Sequence, residues 1–349
     1  MELNGGGTPF YLSNCEVPVA SLSLSPPALV FDVNELSEWG WIWRLGTKLR
    51  KRADSADDED EGADDGAVDQ AVAAALASTQ SEICEDLSPA EAASEIIAAA
   101  EHGASPSPAD PMAIGAAAVR GISPASADVP PHILARFKPG KKYPSAFDKK
   151  QGMDFGQVFD KAVGQALATM LGGVPVKQPK STSLLPEHPD CVEVGPARVI
   201  GGVRPQNFDV AYRPDGVRVA YDSKTLNDAK SVQKNWQNMV NDLGTEATTV
   251  HTRFPYAVVA FIVAIPKPAL GPGQQADLIR TLERLGTRRQ VIDQNHLAEA
   301  IAFVVWDPAT GLIDPNVPDR DSSLRYEQLM PKIFQCYVDR YKGLPPHDK

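Results

Sequence analysis

The chain has 349 residues, a net charge of −11 and 43% apolar residues, enough for a sizeable core. It contains no apolar run of about 18 residues, so no spanning helix is expected, and no glycine-rich loop ending in Gly-Lys-Ser/Thr that would cradle a nucleotide. Cys15, Cys84, Cys191 and Cys336 stand singly, away from any histidine at ligand spacing, which argues against a zinc site or a disulfide framework and suits a reducing cytoplasm.

The charge is uneven. Residues 1–131 carry 6 Lys and Arg against 22 Asp and Glu, whereas residues 132–349 carry 28 against 23. The acidity belongs to the N-terminal part, and the remainder is mildly basic, which permits a phosphate-binding surface there. The N-terminus lacks a basic segment followed by an apolar one, so no secretory signal is expected.

In chain order, residues 1–52 suggest a strand-and-loop region with alternating Trp39, Trp41 and Trp43. A basic cluster follows, Lys48 to Arg52. Residues 53–69, with the run Asp54 to Gly66, have the composition of a disordered acidic linker. Residues 70–150 are rich in Ala and Pro and suggest short helices between loops, a candidate recognition, partner-binding or regulatory region. Ser88, Pro89 and Glu91 form a helix-start signal and Gly103 a stop. The polar stretch 137–152 is the expected boundary, and 151–349 the main domain.

There the apolar periodicity of Phe155, Phe159, Val163, Ala166, Leu167 and Met170 predicts a helix over Phe155–Leu171. Strands are predicted within Val192–Ile200, at Phe208–Tyr212 and at Val217–Lys224. Arg213-Pro214-Asp215-Gly216 supplies a tight turn between the last two. A helix over Asp228–Leu243 and a buried strand over Tyr256–Ile265 come next. Beyond them lie a helix at Gln275–Leu285, a strand at Ala302–Trp306 and a closing helix near Leu324–Tyr341.

An acidic residue two places before a lysine occurs three times, at Asp148/Lys150, Asp222/Lys224 and Asp228/Lys230. Only Asp222 and Lys224 share one face of an alternating strand, and the turn brings Asp209 on the preceding strand beside them. Two close carboxylates suit a hard divalent cation such as Mg²⁺. An ammonium group beside them can orient or deprotonate water, or neutralise developing charge. That combination serves phosphodiester hydrolysis.

Asp209, a twelve-residue gap and then Asp222-Ser223-Lys224 resemble the motif of the PD-(D/E)XK nuclease superfamily. The helix, three strands, helix, strand order from Phe155 to Ile265 is similar to that family's core. Here Asn207-Phe208 replaces the proline the family places before the first aspartate. The resemblance implies an α/β, restriction-endonuclease-like mixed sheet flanked by helices, with a separate, mainly helical N-terminal region. It implies a Mg²⁺-dependent endodeoxyribonuclease (Mn²⁺ substituting), a type II restriction or phage-defence enzyme acting on DNA as a homodimer. A repair or recombination nuclease, or an inactive DNA-binding or effector-sensing protein, are the alternatives. Asp209, Asp222 and Lys224 would be catalytic. The metal would be held by Asp209, Asp222, the Ser223 backbone and, from the first helix, Asp160, with Gln157 a turn earlier. Lys234, Gln237 and Arg253 are candidate DNA contacts. His251 is expected in a loop entering the buried strand, and a protein partner could bind through residues 1–150.

Overall fold

The computed structural model describes residues 21–57, 147–180, 186 and 189–347. Among these, five α-helices surround one six-stranded mixed sheet. Helix α1 spans Val33–Asp57 and α2 Lys149–Met170. Strands β1 (Val176–Lys177), β2 (Val192–Ile200), β3 (Pro205–Tyr212) and β4 (Val219–Thr225) follow. Then come α3 (Ala229–His251), β5 (Val258–Pro266), α4 (Pro272–Leu285), β6 (Ala300–Trp306) and α5 (Leu329–Tyr341). No helix among the described residues is long and apolar enough to cross a membrane.

The strands lie in the sheet in chain order. β2, β3 and β4 form an antiparallel meander, while β1–β2, β4–β5 and β5–β6 are parallel pairs. The turn after β3 closes as its residues demand. Gly216 takes φ 132°, a region that favours glycine, and the Arg218 amide donates to the Tyr212 carbonyl at 3.0 Å. The parallel pairs β4–β5 and β5–β6 need crossovers, which α3 and α4 provide.

Both faces of the sheet are covered. On one, Phe155, Phe159 and Leu167 of α2 and Ile333 and Tyr337 of α5 pack against Tyr221, Ile262 and Val304. On the other, Val232, Leu243 and Val250 of α3 and Leu278 and Leu282 of α4 pack against Phe261, Val263 and Phe303. Every residue of β5 and β6 is therefore buried, which is why both read as unbroken apolar runs.

The N-terminal region differs from expectation. Residues 33–57 are a helix, not strand and loop. Leu36, Trp39, Ile42 and Trp43 form its buried stripe, and they join the same core as α2. Trp39 stacks edge-on against Phe147 and Phe155, with ring centroids 5.6 and 5.9 Å away. The spacing of these residues is helical, and the intervening Trp41 disguised it as alternation. Gly40 sits so close to the 307–311 loop that an added Cβ would lie 2.2 Å from the Pro308 carbonyl oxygen. This segment is thus part of the main core and not a separate region.

Two boundaries also move. The expected acidic linker begins inside α1, whose last residues are 53–57, and its remainder, 58–69, lies outside the described residues, as does 70–146. The expected domain start at 151 falls within α2. Asp148 caps that helix, accepting from the Gln151 amide at 2.8 Å while Gln151 accepts from the Asp148 amide at 2.9 Å, a reciprocal cap that fixes the helix start.

His251 is the last residue of α3 and not a loop residue. Its Nε2 lies 3.2 Å from Glu299 Oε2, and its Nδ1 lies 2.9 Å from the Asn295 carbonyl. Glu299 also accepts from Arg288 and Arg340. This buried knot ties the ends of α3 and α5 to β6, so His251 serves the fold.

Candidate active site

The β3–β4 ladder pairs Tyr212 with Val219, Ala211 with Ala220 and Val210 with Tyr221. One step further along that register stand Asp209 and Asp222, where the strands stop pairing. The opposite edge of β3 is irregular at the same point. Between the pairs Val194–Val210 and Ala197–Phe208, two residues of β2, Gly195 and Pro196, face the single Asp209. Such a bulge bends the strand and redirects a side chain, and Gly195 takes φ 124° to allow it.

Asp209 Oδ2 accepts from the Ser223 amide at 3.1 Å and from the Ser223 hydroxyl at 3.3 Å. Helix α2 approaches closely above this point. A Cβ added to Gly156 would lie 3.1 Å from Ser223 Oγ. One turn on, α2 delivers Asp160, and its Oδ1 is buried with no hydrogen-bond partner. Asp160 and Asp222 are each only 6% exposed.

Burial raises the affinity of all three carboxyls for protons, and repulsion within the trio adds to it at Asp160 and Asp209. Asp209 is pushed up to about 8 by burial and by Asp222, against the opposing pull of the Ser223 amide and Lys224. Burial raises Asp222 to about 6, with the hydrogen bond it shares with Asp209 and then Lys224 limiting the rise. Asp160 is raised well above the carboxylate range by burial and then by Asp209, with the Ser223 side chain offsetting part of this. Groups of like charge crowded in a dry site favour the neutral form unless a cation joins them.

Lys224 supplies one positive charge. Its Nζ contacts Asp222 Oδ2 and donates to Glu246 Oε1 at 2.9 Å. Burial works against its charge, but Asp222 and Glu246 outweigh burial and raise its pKa. Lys224 is thus held as an ammonium ion.

A cleft of about 950 Å³ opens onto this group. Asp160, Asp209, Asp222 and Ser223 lie in its wall, with Gln157 and the bulge residues Gly195 and Pro196. Lys149, Lys161 and Lys177, all exposed, stand around it. Lys224 is not in that wall; it braces Asp222 from the side of α3.

Asp160, Asp209, Asp222, Ser223 and Lys224 are therefore brought together, as the sequence suggested. The candidate DNA contacts are not. Lys234 and Gln237 are exposed on α3 outside the cleft wall, and Arg253 lines a different hollow with Phe254 and Pro214. Arg253 donates to the Ile200 carbonyl at 3.0 Å.

Glu246 and its partner Gln206 escaped the sequence reading. Gln206 Nε2 donates to Glu246 Oε1 at 3.1 Å. A signal was present: Glu246 continues the apolar stripe Met239, Leu243, Ala247, Val250, and a carboxylate on a buried stripe is unusual.

Among the described residues, no group of three or more His, Cys, Asp or Glu is arranged to hold a metal ion by itself. The site fits a cation that takes one or two carboxylates and completes its shell with water, as Mg²⁺ does. The unpartnered Asp160 Oδ1 and the facing Asp209 and Asp222 are the carboxylate oxygens from which such a cation could draw its one or two protein ligands. Against family models, curated proteins and solved structures, the chain has no match.

Proposed function

We propose that this protein is a Mg²⁺-dependent endonuclease that hydrolyses phosphodiester bonds of DNA. One observation carries the reading: the half-buried Asp209 and the buried Asp222 meet where the β3–β4 ladder ends, with a lysine held as ammonium two residues beyond. In this reading Asp209 and Asp222 hold the cation, with Asp160 and the Ser223 backbone beside them. When bound, the cation supplies Lewis-acid charge that offsets charge developing on a phosphoryl oxygen.

Lys224, already held charged by Asp222 and Glu246, stabilises the same developing charge and does not accept a proton. Lys149, Lys161 and Lys177 replace Lys234, Gln237 and Arg253 as the candidate contacts to backbone phosphates. Cutting both strands of a duplex requires two such sites, so we propose that the active form is a homodimer. The biological setting that the motif resemblance suggests is restriction or phage defence.

The test is cleavage of mixed-sequence duplex DNA in Mg²⁺ or Mn²⁺ by wild type, Asp222→Ala and Lys224→Ala. Cleavage should fall by roughly 100-fold or more in each variant and vanish with EDTA. Discrete fragments would support sequence-specific restriction, and a smear a nonspecific nuclease. Wild-type protein that leaves DNA intact would overturn the function, and cleavage surviving both substitutions would overturn the site.

A further inference from the structure

Glu246 is a side chain that the fold does not need as a carboxylate. It occupies the buried stripe of α3 between Leu243 and Val250, and its side chain is only 4% exposed. Apolar residues fill the neighbouring positions of that stripe. Both its hydrogen bonds, from Lys224 Nζ and from Gln206 Nε2, fall on the same oxygen, Oε1. Oε2 is buried with no partner. A half-satisfied buried carboxylate costs stability that an apolar side chain of similar size would not.

The pair it makes is also redundant for charge balance. Lys224 already contacts Asp222. What the second carboxylate adds is direction. With Asp222 alone, the four-carbon stem of Lys224 could swing about a single contact. With Asp222 on its own strand and Glu246 on the helix beyond, the ammonium is fixed between two points. Gln206, on β3, fixes Glu246 in turn. The chain Gln206–Glu246–Lys224–Asp222 thus runs from β3 through α3 to β4.

We infer that Glu246 is a positioning residue for Lys224. It holds the ammonium in one place beside Asp222, and Gln206 locks the carboxylate that does so. The inference rests on the nuclease reading for its catalytic consequence but not for its structural content, so two readouts separate them.

The first readout is independent of activity. In ¹H–¹⁵N spectra selective for lysine ammonium groups, only ammonium groups held in persistent hydrogen bonds give sharp signals. The Lys224 signal, assigned by its loss in Lys224→Ala, should be sharp in wild type. It should broaden or vanish in Glu246→Met and in Glu246→Leu, neither of which offers Nζ an oxygen. The second readout is DNA cleavage at saturating substrate with Mn²⁺ binding measured alongside by calorimetry. Turnover should fall by roughly 10- to 100-fold in both variants, with KM and Mn²⁺ affinity nearly unchanged. If Glu246→Leu fails to fold, the unbranched Glu246→Met, close to glutamate in length, still decides. A sharp Lys224 signal in Glu246→Met, or turnover in that variant equal to that of a wild type that cleaves, overturns the positioning role. A wild type that leaves DNA intact while the Lys224 signal behaves as expected sinks the nuclease reading and leaves the positioning in place.

Discussion

Asp209 shows how a single residue carries a cost for the sake of a site. Its carboxyl holds its proton up to about 8 in the fold, whereas an unfolded aspartate releases it near 4. The folded state therefore binds the proton more tightly. The stabilisation this gives is complete below about pH 4 and is lost as pH rises toward 8. Asp209→Asn removes the dependence while keeping an oxygen to accept from Ser223. With EDTA present, Asp209→Asn should exceed wild type in stability by about 1–3 kcal/mol at pH 8.5, discounted for the partial exposure of Asp209. The gap should close by about pH 4. Urea titrations at the two pH values measure it, and a variant weaker than wild type at both would contradict the repulsion described for this trio. Asp209 and Asp222 were legible in the sequence because strand alternation and a tight turn have only one geometry. Glu246 was not, because a glutamate's role depends on what lies opposite, and its partners are 22 and 40 residues away in the chain.

At the scale of elements, the strands were easier to anticipate than the helices. β4 and β5 lie within a residue or two of their expected bounds, since period two and buried apolar runs mark them directly. Helix α3 was expected to end at Leu243 and continues to His251. Gly244 and the β-branched Thr245, Thr248, Thr249 and Val250 weaken intrinsic helix preference, but Ala247 and Val250 packed on the sheet override it. The fit of α2 to the sheet is tighter than sequence could reveal. A Cβ on Gly164 would lie 2.2 Å from Val194 Cγ2. Gly164→Ala must push α2 away from β2, which also shifts Asp160. We expect a loss of about 1–3 kcal/mol in a thermal melt and a parallel loss of cleavage. A Gly164→Ala protein as stable as wild type would mean that α2 has slack at this contact.

For the whole molecule, the decisive point is that α1 belongs to the core. Leu36, Trp39, Ile42 and Trp43 are all buried against the main sheet layer. Burial of four such side chains is worth about 6–12 kcal/mol, comparable to the entire stability of a typical domain. A fragment beginning at residue 147 should therefore fail to unfold cooperatively or should aggregate. A fragment beginning at 21, with 58–146 replaced by a flexible linker, should keep a cooperative transition. Calorimetry distinguishes the two, and a cooperative melt from the shorter fragment would show α1 to be dispensable. Composition suggested a division of the chain by charge, but the packing divides it differently, because tryptophans 39 and 43 report burial and the acidic residues that follow do not.

The strand order carries a consequence for how the protein is made. Each strand pairs with its predecessor in the chain, so the sheet can be laid down from one edge as the polypeptide leaves the ribosome, without any strand having to be inserted later. Helix α1 is the exception to this orderly growth. It is synthesised first, yet the 307–311 loop that receives Gly40 and the Trp306 ring stacked near Phe155 and Phe147 arrive only after β6. Phe147 and Phe155 cover part of its tryptophan-bearing face once α2 is made, but the packing closes only when β6 and the loop after it emerge, and that nascent surface is where a chaperone would be needed.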